Sequence, residues 1–258
     1  MPLGLLVLAM GAAWVLARGW WQLSSPALLP PPSARESVVV LGDGIARGAV
    51  GTDWIESFNA EQSRVVLLNY GRSFAECAEL VESLQERLEH SPKRLIIVAG
   101  SREVLAMAAG DAQARERLEQ GCSALCSALS SGAGKSEIKA AWMTPPLMGE
   151  RATGPLYDAL LSAAEVIESH ASAHGITVIP LHVRMLDHLG PAVVGSETRV
   201  DPGRVAALRL ALAQTMLGRS SEELSRDRGW RLTVDGIHLN ARGADLLQEM
   251  VQTWLGRS

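Results

Sequence analysis

The feature that most constrains this chain is an alternation. Five short apolar runs, Val38–Leu41, Val65–Leu68, Leu95–Ala99, Ile138–Met143 and Ile176–Leu181, are separated by stretches with helical periodicity. The runs are too short for helices and, apart from Lys139 and Thr177, apolar, as strands covered on both faces are. Consecutive strands joined through helices need right-handed crossovers, which place the strands parallel and the helices on both faces. The sequence therefore predicts a three-layer α/β/α, flavodoxin-like domain with about five parallel strands, spanning residues 37–258. Such a sheet binds ligands beyond the carboxyl ends of its strands, so chemistry is sought in the segments that follow each run.

The intervening segments carry helix signals. Ser73 with Glu76 reads as a capping box ahead of Cys77, Leu80, Val81, Leu84 and Leu88 at helical spacing. Further helices are expected over Arg102–Leu129, interrupted near Gly110, over Tyr157–His174 and over Ala241–Leu255. Residues 182–230 form an insertion with its own helix, Asp201 as N-cap and Pro202 at its first position, suited to a lid or wall over the strand ends. With 47% hydrophobic residues the chain can build this core without a disulfide or metal. Cys122 and Cys126 lie four apart in a helical pattern and read as small buried apolar residues.

The amino terminus follows a different logic. Residues 2–17 carry no charge, and Arg18, Trp20 and Trp21 follow. That run is long for a signal-peptide core and slightly short for a span of about 20 residues. Extended to Leu23, with Arg18 snorkelling, it makes a single span. Residues 1–23 are thus expected to be a membrane anchor or a signal segment. Residues 24–36, rich in Pro and Ser, are expected to be an extended linker. A membrane-anchored or secreted protein follows. The balance of 24 basic against 28 acidic residues argues against nucleic acid as a partner, because phosphate neutralisation needs a clustered basic face.

Several motifs fail on inspection. Gly134-Lys135-Ser136 lacks a glycine five residues earlier, where Leu129 stands, and precedes a strand instead of following one, so it is no phosphate loop. His170 and His174 have helical metal-ligand spacing but no accompanying glutamate, and read as exposed. His182 and His188 flank Asp187 without a positional reason to form a site. No metal or cofactor is implied. The strongest signal is Asp235-Gly236-Ile237-His238-Leu239, just before the last helix. A carboxylate against one imidazole nitrogen fixes the tautomer, stabilises the protonated ring and leaves the other nitrogen as a general base.

Four segments in order resemble the SGNH, or Gly-Asp-Ser-Leu, hydrolase family. They are Val39–Ile45 (VVLGDGI), Asn69-Tyr70-Gly71, Gly100-Ser101-Arg102-Glu103 and Asp235–Leu239, with Thr144-Pro145-Pro146 matching a proline-containing loop. The resemblance implies hydrolysis of carboxylic esters, of lipids or acetylated sugars, with Asp235 and His238 as catalytic residues and Gly71 as a backbone donor to the oxyanion. Two positions depart from it. The nucleophilic serine falls on Gly44, and the oxyanion asparagine on Arg102. Covalent acyl transfer needs an activated oxygen or sulfur beside the base, which Gly44 does not supply. Two readings stand: a membrane-associated degenerate esterase that keeps the pocket with little or no hydrolysis, or an active ester hydrolase using Ser101 or a water activated by His238. In either, the partner is a small ester, lipid or acyl-sugar ligand, with no cofactor and no metal.

Overall fold

A computed structural model describes residues 3–27, 29, 35–132, 138–190, 200 and 203–257. After an amino-terminal helix α1 (Leu3–Ser24) the chain runs β1 (Glu36–Gly42), α2 (Gly44–Arg47), α3 (Trp54–Glu61) and β2 (Val65–Gly71). A short 3-10 turn at Cys77–Leu80 leads into α4 (Val81–Leu88), β3 (Arg94–Val98), α5 (Ser101–Ala108) and α6 (Ala114–Gly132). Then come β4 (Lys139–Met143), a tight turn at Met148–Glu150, α7 (Pro155–Ala173), β5 (Thr177–Ile179) and α8 (Leu181–Leu189). The chain closes with α9 (Arg204–Leu217), α10 (Ser221–Arg228) and α11 (Ala241–Arg257).

The five strands form one parallel sheet in the order β2-β1-β3-β4-β5. This is the flavodoxin-like order, and the α/β/α prediction holds. In β1 five consecutive residues are buried and in β3 four, so both sheet faces are covered. That double burial is why these strands read as unbroken apolar runs instead of alternating. Trp54, Phe58 and Trp142 fill the core. At the exposed edge of β2, the Asn59 amide replaces a neighbouring strand, donating to the Leu67 carbonyl at 2.9 Å and accepting from its N–H at 2.8 Å.

One local expectation changes. The helix near residue 77 starts from Glu76, paired with Glu79 in a reciprocal cap, rather than from Ser73. Residues 133–137, with the Gly-Lys-Ser sequence, and Asp201 and Pro202 of the expected N-cap lie outside the described residues; α9 itself is present over Arg204–Leu217.

The amino terminus is described from residue 3. Residues 3–24 are helical, but among the described residues no helix is long and apolar enough to cross a membrane. Arg18, Gln22 and Ser24 interrupt the apolar sequence, and the end of α1 packs on the domain instead. A Cβ added at Gly19 would sit 2.6 Å from the Leu208 side chain and 2.8 Å from that of Leu212 in α9, so the two leucines pack directly on the Gly19 backbone. Leu23 is buried with Ala207, Leu210 and Ala211. Of the expected linker, residues 28 and 30–34 lie outside the described residues; its described flanks are each held by a contact. The Arg47 guanidinium donates to the Ser25 carbonyl, and Arg35 donates to the carbonyls of Asn59 and Gln62.

Candidate active site

In a sheet of this order the connections leave β1 in opposite directions, to β2 on one side and β3 on the other, which opens a crevice at the carboxyl ends of β1 and β3. Asp43 follows β1 and stitches that crevice together. Its N–H donates to the Val98 carbonyl at 2.8 Å. One carboxylate oxygen accepts from the Ile45 N–H at 2.9 Å and the other from the Ser101 N–H at 3.1 Å. Burial dominates and raises the Asp43 pKa, against the hydrogen bonds of Ile45 and Ser101. Close packing of β1 on β3 leaves no room at Gly42, where a Cβ would lie 2.1 Å from the Val98 oxygen.

The segment before α11 crosses the mouth of this crevice. His238 Nδ1 lies 2.8 Å from the Asp235 carboxylate, whose other oxygen accepts from the N–H groups of Ile237 (2.9 Å) and His238 (2.8 Å). The left-handed turn at Gly236 (φ +85°) makes that three-residue reach feasible. Burial works against charge on both partners, yet the pair overrides it. Asp235 stays below its ordinary carboxylate value, and Asp235, with Asp43 further off, lifts His238 above the usual imidazole value. Nδ1 is thereby committed to Asp235, and Nε2 is the free base.

What Nε2 faces is the decisive geometry. A Cβ built on Gly44 would lie 3.3 Å from His238 Nε2, and within 4 Å it would otherwise meet only the same ring. Gly44, Ser101, Arg102, Asp235 and His238 line a single cavity of about 330 Å³. Its remaining wall is largely apolar, with Ile45, Leu105, Ala106, Ala207 and Ile237. Arg102 is turned along the rim, donating to the Phe74 carbonyl at 2.5 Å and pairing with Glu76 at 3.2 Å. Gly71 is not on this cavity. Its N–H donates to Asn69 Oδ1 at 2.9 Å, and it lines an adjoining groove of about 680 Å³. Glycine is needed there because a Cβ would lie 2.3 Å from the Arg47 nitrogen.

Two residues that the sequence did not single out contribute. Phe74 lines the cavity with a left-handed backbone (φ +64°), unusual for an aromatic residue, and its N–H has no partner among the described residues. The Gly44 N–H is likewise unpartnered. Glu150, buried and also at positive φ (+46°), braces the segment that leads into Asp235 and His238. Its carboxylate accepts from the N–H groups of Arg231 (2.8 Å), Leu232 (2.7 Å) and Thr233 (2.8 Å) and from the Thr233 hydroxyl (2.8 Å). Beside it the Gly149 N–H donates to the Gly236 carbonyl at 2.7 Å.

The other histidines lie elsewhere. His182 is buried against the Thr144 hydroxyl at 2.8 Å, where burial lowers its pKa, and His174 bonds the His170 carbonyl on the exposed end of α7. Cys77, Cys122 and Cys126 are free and buried. Among the described residues no cluster of His, Cys, Asp or Glu is arranged to hold a metal.

No protein-family model matches the sequence, and no curated protein matches it either. Solved structures do match in fold. The chain is similar to the acetyl xylan esterase AlAXEase, with a TM-score of 0.60, 17% identity, and coverage of 85% of this chain and 99% of that one. LAE5, an alpha/beta hydrolase from the metagenome of Lake Arreo, Spain, gives 0.58, 15%, 87% and 97%. The lipase/acylhydrolase from Enterococcus faecalis gives 0.52, 17%, 86% and 96%. The fold is that of the SGNH, or Gly-Asp-Ser-Leu, type of hydrolase.

Proposed function

We propose that this protein is a degenerate ester hydrolase: it keeps the acyl pocket and the Asp235–His238 pair and has lost covalent hydrolysis. The observation that carries this is the empty space beside the base, where His238 Nε2 faces a residue without a side chain. A histidine oriented by a carboxylate is a general base, but it needs a hydroxyl to deprotonate before an acyl-enzyme can form. Ser101, the alternative nucleophile, makes no hydrogen bond with His238 among the described residues, and its N–H donates to the Asp43 carboxylate. The unpartnered N–H groups of Gly44 and Phe74 would hold the carbonyl or carboxylate oxygen of a bound acyl group, as oxyanion donors do. The ligand class this reading favours is a small ester, a lipid or an acylated sugar, as the esterase and lipase fold relatives suggest.

The same reading places the protein at a membrane or outside the cell. Among the described residues, eight of the ten exposed large apolar side chains belong to α1, Leu29 after it and α9, including Trp14, Trp20 and Trp21. Tryptophan at such a surface suits the level of lipid headgroups, with Arg18 stacked on Trp21 at 5.6 Å. The whole chain is expected in the membrane fraction; recovery as a soluble monomer with its amino terminus intact contradicts this part.

Labelling with a fluorophosphonate tests the central reading. The reagent needs an activated serine, so the protein should stay unlabelled under conditions that label an active esterase. Stoichiometric labelling abolished by His238→Ala would replace the proposal with an active hydrolase using another serine.

A further inference from the structure

We propose that the cavity is a carboxylate site, taking a free acyl carboxylic acid with its head group in the space that Gly44 leaves beside His238. This rests on the degenerate-esterase reading, and deepens it by naming the ligand. In a hydrolase, the position next to Nε2 is filled by a hydroxyl that donates to it. Here that position is open, and the polar groups around it that remain unspent are donors or cations. The Gly44 and Phe74 N–H groups have no partner among the described residues. Arg204 lines the cavity, and its one contact among the described residues is the Phe74 ring, 5.3 Å from the guanidinium carbon. His238 is shifted toward its protonated, donating form by the carboxylates of Asp235 and Asp43.

The acidic groups nearby are already engaged. Asp43 accepts from Ile45 and Ser101, Asp235 accepts from Ile237 and His238, and Glu76 pairs with Arg102 and Arg117. None presents an unpaired anion to the open position, so an incoming carboxylate meets donors. A neutral ester offers those donors one weaker acceptor, and an amine offers none. Behind the head-group position, Ile45, Leu105, Ala106, Ala207 and Ile237 supply an apolar wall for the chain. The chain length then sets affinity, at about fourfold per buried methylene.

Octanoate, butyrate, methyl octanoate and octylamine are the probes, read by calorimetry and by the NMR titration of His238. Octanoate should bind at least tenfold more tightly than methyl octanoate or octylamine, and more tightly than butyrate. It should also raise the His238 titration midpoint more than methyl octanoate does, because an anion stabilises the protonated ring more strongly than a neutral acceptor. Arg204→Gln, at an exposed position that does not threaten folding, should weaken octanoate about tenfold or more. Gly44→Ala, which puts a methyl group in the head-group space, should abolish the His238 shift. Equal binding of octanoate and its methyl ester without that shift overturns the carboxylate assignment and leaves the degenerate-esterase reading standing. Absence of binding by any probe overturns the assignment as well. Fluorophosphonate labelling of the unmodified chain would instead remove the reading underneath, making bound octanoate a hydrolysis product.

Discussion

On the degenerate-esterase proposal, Gly44→Ser supplies the one hydroxyl the candidate site needs, and its consequence can be worked from the geometry. Gly44 is not at a left-handed φ, so a side chain is accommodated by the backbone. The new Cβ sits 3.3 Å from His238 Nε2, close enough that the ring must give by a few tenths of an ångström. A hydroxyl one bond further reaches about 2.8 Å from Nε2 with an ordinary rotamer, the distance of a normal hydrogen bond. Loss of a serine nucleophile or its histidine costs about 10⁶ in turnover in a Ser-His-Asp enzyme. Arg102, spent on Phe74 and Glu76, supplies no third oxyanion donor, and one missing donor costs about 10²–10³. The variant should therefore gain about 10³–10⁴ in hydrolysis of a short activated ester over the unmodified chain. Initial rates with p-nitrophenyl acetate measure this, and His238→Ala in the same background should erase the gain. Adding Arg102→Asn should raise it further. A folded Gly44→Ser protein with an unchanged rate would refute the reasoning, because the base, its orienting carboxylate and the cavity would all be present without producing an esterase.

Four further outcomes are expected. Glu150→Ala strands three buried N–H groups and a hydroxyl, and should lower stability by about 3 kcal/mol in urea unfolding; a loss below about 1 kcal/mol would mean that the segment holds itself. The NMR titration midpoint of His238 should lie above the ordinary 6.5 and drop in Asp235→Asn, since Asp235 is the main charge that raises it. The pair also sets a pH window of stability. His238 is raised on folding, so its contribution is complete below pH 6.5 and fades as pH rises through the folded value, while the Asp235 contribution holds above pH 3.8 and fades as pH falls through its depressed value. The stability gap between the unmodified protein and His238→Ala should thus be widest near about pH 5–6 and shrink by about pH 9; a gap that widens with pH would reverse the assignment. Finally, Gly19→Leu should push α1 off Leu208 and Leu212 and open residues 19–25 to protease, and unchanged cleavage would mean that α1 is not held there.

The strands were legible because a parallel sheet covered on both faces demands contiguous apolar runs, and Val38–Leu41 and Leu95–Ala99 leave no other assignment. Asp235 and His238 were legible because three residues of sequence contain the whole interaction. The rest depended on contacts between distant segments. Gly71 reads as a free backbone donor until Asn69, two residues away, is seen folding its amide back onto that N–H. Phe74 carries no motif; only its left-handed φ and its position on the cavity mark it. Glu150 looks like a surface acid next to Arg151, while its four partners lie some 80 residues further along the chain. The amino-terminal segment reads as an isolated apolar run because its partner, α9, lies in the least patterned part of the sequence.

The central claim is that the base is intact and has nothing to activate. The direct measurement is the intact mass of the protein during turnover of an activated acetyl ester, for the unmodified chain and for Gly44→Ser side by side. The account predicts no acetyl adduct on the unmodified chain and a transient adduct, mapped to position 44, on the variant. An acetyl adduct on the unmodified chain that maps to Ser101 or another serine, and disappears in His238→Ala, would contradict it.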